Sequence, residues 1–349
     1  MKNELISEKN YAADMANIVA PYLAQRREDI VFPGYDKKEL HAARFTAANP
    51  QGTVSVLHGF TESIEKYREF IYELLCHGYN VCMLDQRGHG LSYRKVEDKT
   101  LTHIDRFEEY VKDMDCFVRD VASGMPGPHF LFSHSMGGAV AALYLERGGD
   151  FYSRAVFSSP MIAPDRGGLP IWMSRMIIGT FVRFGRGKAR LFTSAPYHGH
   201  EDFATCCATS RARFTWYDDF KVQNADYRNC SPTYRWSQEA VNVTARILAP
   251  GQVEKICMPV CVFRAGLDNV VINEETEKFA ARLPAGELVD VPGAKHEIYR
   301  SEDDVLYPYL AQVFSFFDDG CAALHHGVRR TAHEEILQKD AAFGEDVPV

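Results

Sequence analysis

Residues 130–145 read FLFSHSMGGAVAALYL. The first three residues form a short apolar run that predicts a buried strand, and the segment that follows Gly138 has the composition of a helix. Ser135 therefore stands where a strand turns sharply into a helix, a geometry that leaves room only for small residues two positions to either side. Gly137 meets this requirement on one side and Ser133 on the other. The stretch predicts a serine nucleophile at the tip of a tight turn.

Apolar runs that read as strands alternate with helical patterns along most of the chain. The predicted strands lie at 54–57, 81–84, 130–132, 155–157, 260–263 and 288–291, and the predicted helices at 65–77, 104–123, 136–147, 273–282 and 303–317. Before them, residues 29–46 predict an antiparallel hairpin that turns at 34–36. This alternation is typical of the α/β class, in which helices flank a mostly parallel central sheet.

The alternation stops where an inserted helical cap is expected. We predict an N-terminal helical extension at 1–28, a core at 29–160 and 237–320, the cap at 161–236, and a peripheral C-terminal tail, helical with a frayed end, at 321–349. Within the cap, residues 166–200 contain no Asp or Glu. The bases of that stretch are Arg166, Arg175, Arg183, Arg186, Lys188 and Arg190.

The composition is that of a globular protein in water, with 46% hydrophobic and 25% charged residues. A formal net charge of −8 argues against nucleic acid as a partner. The sequence contains no uncharged apolar stretch of about 18 residues, so no membrane span is predicted. Residues 1–9 lack the apolar core of a signal peptide. Nine cysteines, mostly single, indicate reduced thiols in a cytoplasmic protein. The pair Cys206-Cys207 lacks a second Cys or His pair, so no metal site is predicted.

Polar motifs follow the predicted strands at their carboxyl ends, where open parallel sheets bind their ligands. Residues 58–62 follow the first parallel strand, and the Ser135 turn follows a later one. Asp268 and His296 each follow one of the last two strands. The order Ser, Asp, His along the chain is the order of an α/β-hydrolase triad.

Each candidate meets a chemical need of ester hydrolysis. His296 can take the proton of the Ser135 hydroxyl and return it to the leaving alcohol, because histidine is the side chain best suited to exchange protons near neutral pH. Asp268 would hold the imidazole tautomer and stabilise the imidazolium. The backbone N–H groups of Phe60 and Met136 are the predicted donors to the oxyanion.

Three other polar residues or runs lie near the candidates. Asn269 is the neighbour that competes with Asp268 for the orienting role. His134 adjoins the nucleophile, but its side chain is expected to point away from Ser135, so we interpret it as structural. Residues 87–90, RGHG, lack the Lys-Ser/Thr of a phosphate loop and predict a loop that braces the turn.

Four motifs carry a resemblance to one branch of the α/β-hydrolases, the bacterial lysophospholipases and monoacylglycerol lipases. They are HGFTES at 58–63, DQRGHGLS at 85–92, SHSMGG at 133–138 and GAKHE at 293–297. The similarity runs from about residue 29 to residue 317. It implies a cofactor-free serine esterase that forms an acyl-enzyme on Ser135 and acts on lipids with one acyl chain. Residues 231–236 look more like the lysophospholipase members, which makes a lysophospholipase the first expectation.

Several alternatives stay open at this point. The first are a monoacylglycerol lipase or a broad carboxylesterase. A peptidase of the proline iminopeptidase type has a similar cap, but such enzymes usually recognise a free amino terminus with acidic cap residues, which 166–200 lacks. A hydrolase-derived binding protein without activity is a further alternative. A dehalogenase is excluded, because its nucleophile would be an aspartate where Ser135 stands.

The predicted cap also suggests how the protein would bind a lipid substrate. Residues 169–184 combine apolar side chains with bases, as an interfacial helix does at an anionic lipid surface. We predict that Arg183, Arg186 and Lys188 bind the phosphate of a lysophospholipid, and that the protein contacts a micelle or the inner membrane face peripherally. The alternative is a cap helix whose apolar face only covers the acyl pocket.

Overall fold

Eight strands form the central sheet of the computed structural model, which describes residues 5–342, with side chains as far as residue 322. In chain order they are β1 (Arg27–Pro33), β2 (Glu39–Phe45), β3 (Gly52–Leu57), β4 (Tyr79–Leu84), β5 (His129–His134), β6 (Arg154–Ser158), β7 (Val260–Ala265) and β8 (Gly286–Val291). Across the sheet they follow the order β1-β2-β4-β3-β5-β6-β7-β8. Strand β2 pairs antiparallel with β1 and β4, and the other neighbours pair parallel. The predicted hairpin and the mostly parallel sheet are confirmed.

Helices cover both faces of the sheet. They are α1 (Tyr11–Asp14), α2 (Ala20–Ala24), α3 (Arg68–Cys76), α4 (Glu108–Asp120), α5 (Met136–Leu145), α6 (Ile171–Phe181), α7 (Arg211–Gln223), α8 (Tyr234–Ile247), α9 (Asn273–Arg282) and α10 (Asp303–Ala342). Helices α4, α5, α8 and α9 contribute to one apolar core. The N-terminal helices, α3 and α10 contribute to a second core on the opposite face. Burial on both sides explains why the parallel strands read as continuous apolar runs.

The segment predicted as an N-terminal extension contains helical turns. A π-helical turn, Met15–Val19, joins α1 to α2, so that one helical segment runs to Ala24. Its buried apolar residues recur every four positions and face the second core. They are Tyr11, Met15, Val19 and Leu23.

The segment predicted as a cap contains α6 and α7. One short parallel pair, Leu101–Thr102 with Ser231–Pro232, ties its end to the core. Helix α8, which the sequence analysis did not predict, begins inside this segment and continues past residue 236. The proposed division into core and cap stays a prediction.

Helix α10 continues through the boundary predicted at residue 320, so the helical part of the tail belongs to the same helix that packs on the sheet. The frayed end expected for the chain falls in residues 343–349, outside the described residues. Among the described helices, none combines the length and the apolar character needed to cross a membrane.

Candidate active site

Ser135 occupies the sharp turn between β5 and α5. Its φ of 50° and ψ of −120° place it in the left-handed half of backbone space, which a residue with a Cβ rarely adopts. Its carbonyl accepts hydrogen bonds from Gly138 N–H and Met161 N–H, both at 2.8 Å. The first turn of α5 and the segment after β6 therefore hold the strained turn in place.

Small residues make room around the turn. A Cβ on Gly137 would lie 2.4 Å from the carbonyl oxygen of Leu57, and a Cβ on Gly59 would lie 2.9 Å from the Cβ atom of Ser135. Ser133 fits on the other side because its buried hydroxyl donates to the Val156 carbonyl at 3.2 Å. The small residues at the turn are thus explained by close contacts with the Leu57 backbone and with the Ser135 side chain.

Asp268 and His296 meet at the carboxyl ends of β7 and β8. Asp268 Oδ2 lies 2.7 Å from His296 Nδ1. Its other oxygen accepts the N–H groups of Val270 at 2.9 Å and Val271 at 3.2 Å. Burial raises the pKa of Asp268, but His296 and the two amides outweigh it and leave the pKa below its usual value. The carboxylate is thus ionised and oriented toward the imidazole.

The second nitrogen of His296 is available as a base. His296 Nε2 is buried and has no hydrogen-bond partner among the described residues, Ser135 Oγ included. The ring of His296 lies 4.8 Å, centroid to centroid, from that of His134, the residue before the nucleophile. Catalytic hydrogen bonds are often long without substrate and tighten in the complex. Asn269 is exposed, so the geometry favours Asp268 as the partner of His296.

His134 is held as a structural residue would be. Its Nδ1 lies 3.0 Å from the carbonyl oxygen of Ser158. Burial lowers the pKa of His134 to about 4, so the ring is neutral near pH 7.

The two predicted oxyanion donors are free to act. Within residues 5–342, the N–H groups of Phe60 and Met136 donate to no other residue. His58 orients the first of them: its Nε2 accepts Gln86 N–H at 2.9 Å, so the proton sits on Nδ1, which donates to the Gly59 carbonyl at 2.7 Å. The C=O and N–H of a trans peptide point in opposite directions, so this bond turns the Phe60 N–H away from His58.

Phe60 lies in the loop after β3, the oxyanion loop, and His296 lies in the loop after β8, the histidine loop. A buried cluster of charges joins these two loops, and the sequence analysis did not predict it. Lys66 Nζ lies 3.0 Å from Glu62 and 2.5 Å from Glu297, and Arg300 lies 2.6 Å from the other oxygen of Glu297. Burial raises the pKa of Glu297, but Lys66 and Arg300 lower it to about 2. The signals that could have found this cluster are Glu62 and Glu297, which stand within the HGFTES and GAKHE motifs.

A polar cavity of about 310 Å³ lies against both loops. Thr61, next to Phe60, and Glu297, next to His296, form part of its wall, and residues of α7 and the loop before it form the rest. Its charged lining residues are Lys66, Glu201, Asp202, Asp218, Lys221, Glu297 and Arg300. Two of these carboxylates, Asp202 and Asp218, have no Lys or Arg partner among the described residues. The cavity therefore presents both signs of charge next to the loops that carry Phe60 and His296, while Ser135, Asp268 and His296 themselves are not among its lining residues.

The structure places the predicted cap bases elsewhere. Arg183, Arg186 and Lys188 are exposed at and beyond the end of α6, and none pairs with an acid in the described part of the chain. They do not line the polar cavity. Exposed apolar side chains of the same segment accompany them: Leu169, Trp172, Met176, Phe181, Phe184 and Phe192. We call this set of bases and apolar side chains the cap surface.

One group of side chains in the described residues has ligand atoms close enough to hold a metal ion. His200, Asp218 and Asp219 bring one such atom each within 4.8 Å of one another. His200 and Asp219 are exposed, and His200 Nδ1 already bonds to Asp218 at 2.7 Å. This arrangement is explained by the hydrogen bond alone.

The strand order, the serine turn and the Asp-His pair after β7 and β8 define an α/β-hydrolase. The chain belongs to the family described as serine aminopeptidase, S33, whose model matches residues 48–304. It is 28% identical over 307 residues to lysophospholipase L2 of Escherichia coli (strain K12), which covers 84% of this chain and 88% of that protein. It is also 28% identical over 272 residues to a probable lysophospholipase L2 of Haemophilus influenzae, covering 75% and 82%.

Solved structures agree on the fold. A monoglyceride lipase from Saccharomyces cerevisiae superposes with a TM-score of 0.68 at 20% identity, covering 84% of this chain and 96% of that one. A carboxyl esterase from Bacillus coagulans gives a TM-score of 0.69 at 18% identity, covering 85% and 99%. The resemblance read from the four motifs is confirmed.

Proposed function

We propose that the protein is a serine hydrolase that releases the fatty acid from a lysophospholipid. The observation that carries the proposal is the hydrogen bond of 2.7 Å between the side chains of Asp268 and His296, in a structure that also holds Ser135 in a strained turn. The relatives named lysophospholipase support the substrate class.

The reaction would proceed through an acyl-enzyme. His296 Nε2 takes the proton of Ser135 Oγ as the oxygen attacks the ester carbonyl, and Asp268 keeps the other proton on Nδ1. The N–H groups of Phe60 and Met136 stabilise the oxyanion, and a single donor of this kind contributes about 2.7–4 kcal/mol to the transition state. The imidazolium then protonates the leaving glycerophosphoryl alcohol. In the second half of the reaction His296 takes a proton from water, which attacks the acyl-enzyme, and then returns that proton to Ser135 Oγ as the fatty acid leaves.

The polar cavity supports a phospholipid over a neutral glyceride. Asp202 and Asp218 line it without a Lys or Arg partner, so the amine of a zwitterionic head group would find a carboxylate there, whereas a glycerol group offers only uncharged hydroxyls. Lysophosphatidylethanolamine should therefore be hydrolysed with a higher kcat/KM than a monoacylglycerol of the same acyl chain. Preference for the monoacylglycerol, measured with Ser135→Ala as the blank, would favour a monoacylglycerol lipase instead. A preference for short soluble esters would favour a broad carboxylesterase.

An aminopeptidase is the second candidate, and one observation favours it. Asp202 and Asp218 line the cavity without a Lys or Arg partner, as carboxylates that bind a free amino terminus would. The stretch 166–200 is free of acids, but these residues follow it. Release of p-nitroaniline from proline p-nitroanilide, faster than lysophospholipid hydrolysis by the same preparation, would establish the peptidase and refute the lipase assignment.

The cap surface supports peripheral contact with lipid aggregates. Trp172 is 60% exposed and Phe184 is 78% exposed, and unpaired bases next to such side chains favour an interface with anionic head groups. We propose that Arg183, Arg186 and Lys188 bind lipid phosphates there.

Reversal of these three charges to Glu tests the role of the cap surface. Activity on lysophospholipid micelles should fall, raised salt should mimic the change, and a short p-nitrophenyl ester should be hydrolysed as by the wild type. The matched control reverses Lys37, Arg106 and Lys112, which are exposed outside the cap surface and pair with no acid in the described part of the chain. Equal effects on the micelle and the soluble ester would contradict a role in lipid binding.

A further inference from the structure

Glu62 is a buried carboxylate that touches both predicted catalytic loops. Only 3% of the residue is exposed. One of its oxygens accepts Gly59 N–H at 2.6 Å and Tyr67 OH at 2.7 Å. The other accepts Tyr299 OH at 2.7 Å and lies 3.0 Å from Lys66 Nζ. Four donors thus converge on one side chain, two on each oxygen.

On one side, Glu62 holds the oxyanion loop. The Gly59 N–H that it accepts belongs to the residue directly before Phe60, the predicted oxyanion donor. The carbonyl of the same Gly59 accepts a hydrogen bond from His58 Nδ1. With both polar groups of Gly59 bound, the peptide that carries the Phe60 N–H has one orientation, as a preorganised oxyanion donor requires.

On the other side, Glu62 holds the loop of the catalytic histidine. Tyr299, whose hydroxyl it accepts, lies three residues after His296. The ring of Tyr299 stacks on Tyr67 at 4.5 Å and contacts that of His134 at 5.3 Å, and His134 in turn contacts His296 at 4.8 Å. The two loops, distant in sequence, are therefore bound to a single carboxylate.

Burial raises the pKa of Glu62. This effect is outweighed by Lys66, His134 and the two tyrosine hydroxyls, which together lower the pKa of Glu62 well below its usual value. The side chain is therefore a carboxylate with four acceptor positions, all of them in use.

We propose that Glu62 is a positioning residue that couples the oxyanion donor Phe60 to the His296 loop. The role rests on the proposed serine hydrolase activity and adds to it a residue that touches no reacting atom. Glutamine cannot replace it, because in either orientation its NH₂ group would face a group that can only donate, the Gly59 N–H or the Lys66 ammonium.

The test measures kcat and KM of Glu62→Gln with a short p-nitrophenyl ester. We expect kcat to fall by about 10²–10³-fold, as it does when an oxyanion donor is lost, while KM changes less than about threefold. The rate of fluorophosphonate labelling of Ser135 should fall in parallel, because that reaction passes through a similar oxyanion. A split between kcat and KM is the mark of an interaction made in the transition state.

Glu69→Gln is the matched control. Glu69 is also a buried carboxylate, 7% exposed, but its partners are Arg213 and Tyr11 and it touches neither loop. Both variants should lower the melting temperature, and only Glu62→Gln should lower kcat. Should Glu62→Gln fail to fold, Tyr299→Phe removes one of the four donors and keeps the ring. It should lower kcat about fivefold to tenfold, the worth of one hydrogen bond.

A folded Glu62→Gln with kcat within threefold of the wild type would overturn the proposal. A loss of kcat no greater than that of Glu69→Gln would also overturn it, as would an unchanged kcat in Tyr299→Phe. A wild-type protein that hydrolyses no ester and takes no label would overturn the proposed function together with the positioning role, and the wild-type measurement alone reveals that case.

Discussion

Asp268→Asn should change the tautomer of His296. Asp268 Oδ1 is bound by the N–H groups of Val270 and Val271, so the amide oxygen of an asparagine will take that place. Its NH₂ group must then face His296 Nδ1 at the position where a carboxylate oxygen now lies at 2.7 Å. The NH₂ can only donate, so Nδ1 becomes the acceptor and the ring proton moves to Nε2. The nitrogen needed as a base is then blocked.

The expected cost is about 10⁴ in kcat, the loss that this change causes in serine proteases, or about 5 kcal/mol in the transition state. The assay is steady-state hydrolysis of a short p-nitrophenyl ester near pH 8. The control is Asn269→Ala, which alters an exposed neighbour and should change kcat less than about twofold. If Asp268→Asn retained more than a tenth of wild-type kcat, the reasoning about the tautomer would be refuted.

Two further predictions concern stability. Gly137→Ala puts a methyl group 2.4 Å from the Leu57 carbonyl oxygen and should lower the free energy of unfolding by about 1–3 kcal/mol or more in denaturant titrations. Gly179→Ala, in helix α6 with its nearest neighbour at 3.4 Å, should be neutral or stabilise by up to about 1 kcal/mol, and equal losses in both would contradict the steric argument. For Glu297, whose folded pKa of about 2 lies below its ordinary 4.5, the stabilisation is complete above pH 4.5 and is lost as pH falls toward 2. The unfolding free energy of Glu297→Gln should therefore fall less over that range than that of the wild type, and parallel curves would disprove the assignment.

Strand ends made much of the candidate site predictable. Residues that follow parallel strands converge at one edge of the sheet, so Asp268 and His296 could be brought together although 28 residues separate them. The Ser135 turn could be recognised because its small neighbours reflect a steric requirement of the backbone itself. In both cases the cause is local, or follows from the strand order alone.

Helix α8 was missed because weaker helix formers such as Val, Asn and Thr interrupt its Ala, Gln, Glu and Arg residues. The signals present were the N-cap Thr233, whose hydroxyl accepts Trp236 N–H at 3.3 Å, and an apolar stripe at helical spacing. That stripe, which packs in the first core, is Trp236, Ala240, Val243 and Ile247.

The ion pairs beneath the loops were missed for a different reason. Lys66 and Glu297 are 231 positions apart, and no periodicity or propensity in a single sequence relates two charges at that separation. Only the folded arrangement of the short helical turn before α3 against the histidine loop reveals that they are partners. The same holds for the polar cavity, whose wall is drawn from the oxyanion loop, α7 and the histidine loop.

Covalent labelling with a fluorophosphonate, followed by mass spectrometry of the peptides, tests the central claim most directly. The account predicts one labelled residue, Ser135, in the wild type. It predicts no label in Ser135→Ala. The rate of ester hydrolysis by that variant should fall by several orders of magnitude, to a residual acceleration of about 10³-fold over the reaction in water. A label that persists on another serine of Ser135→Ala, or hydrolysis that continues at the wild-type rate, would contradict it.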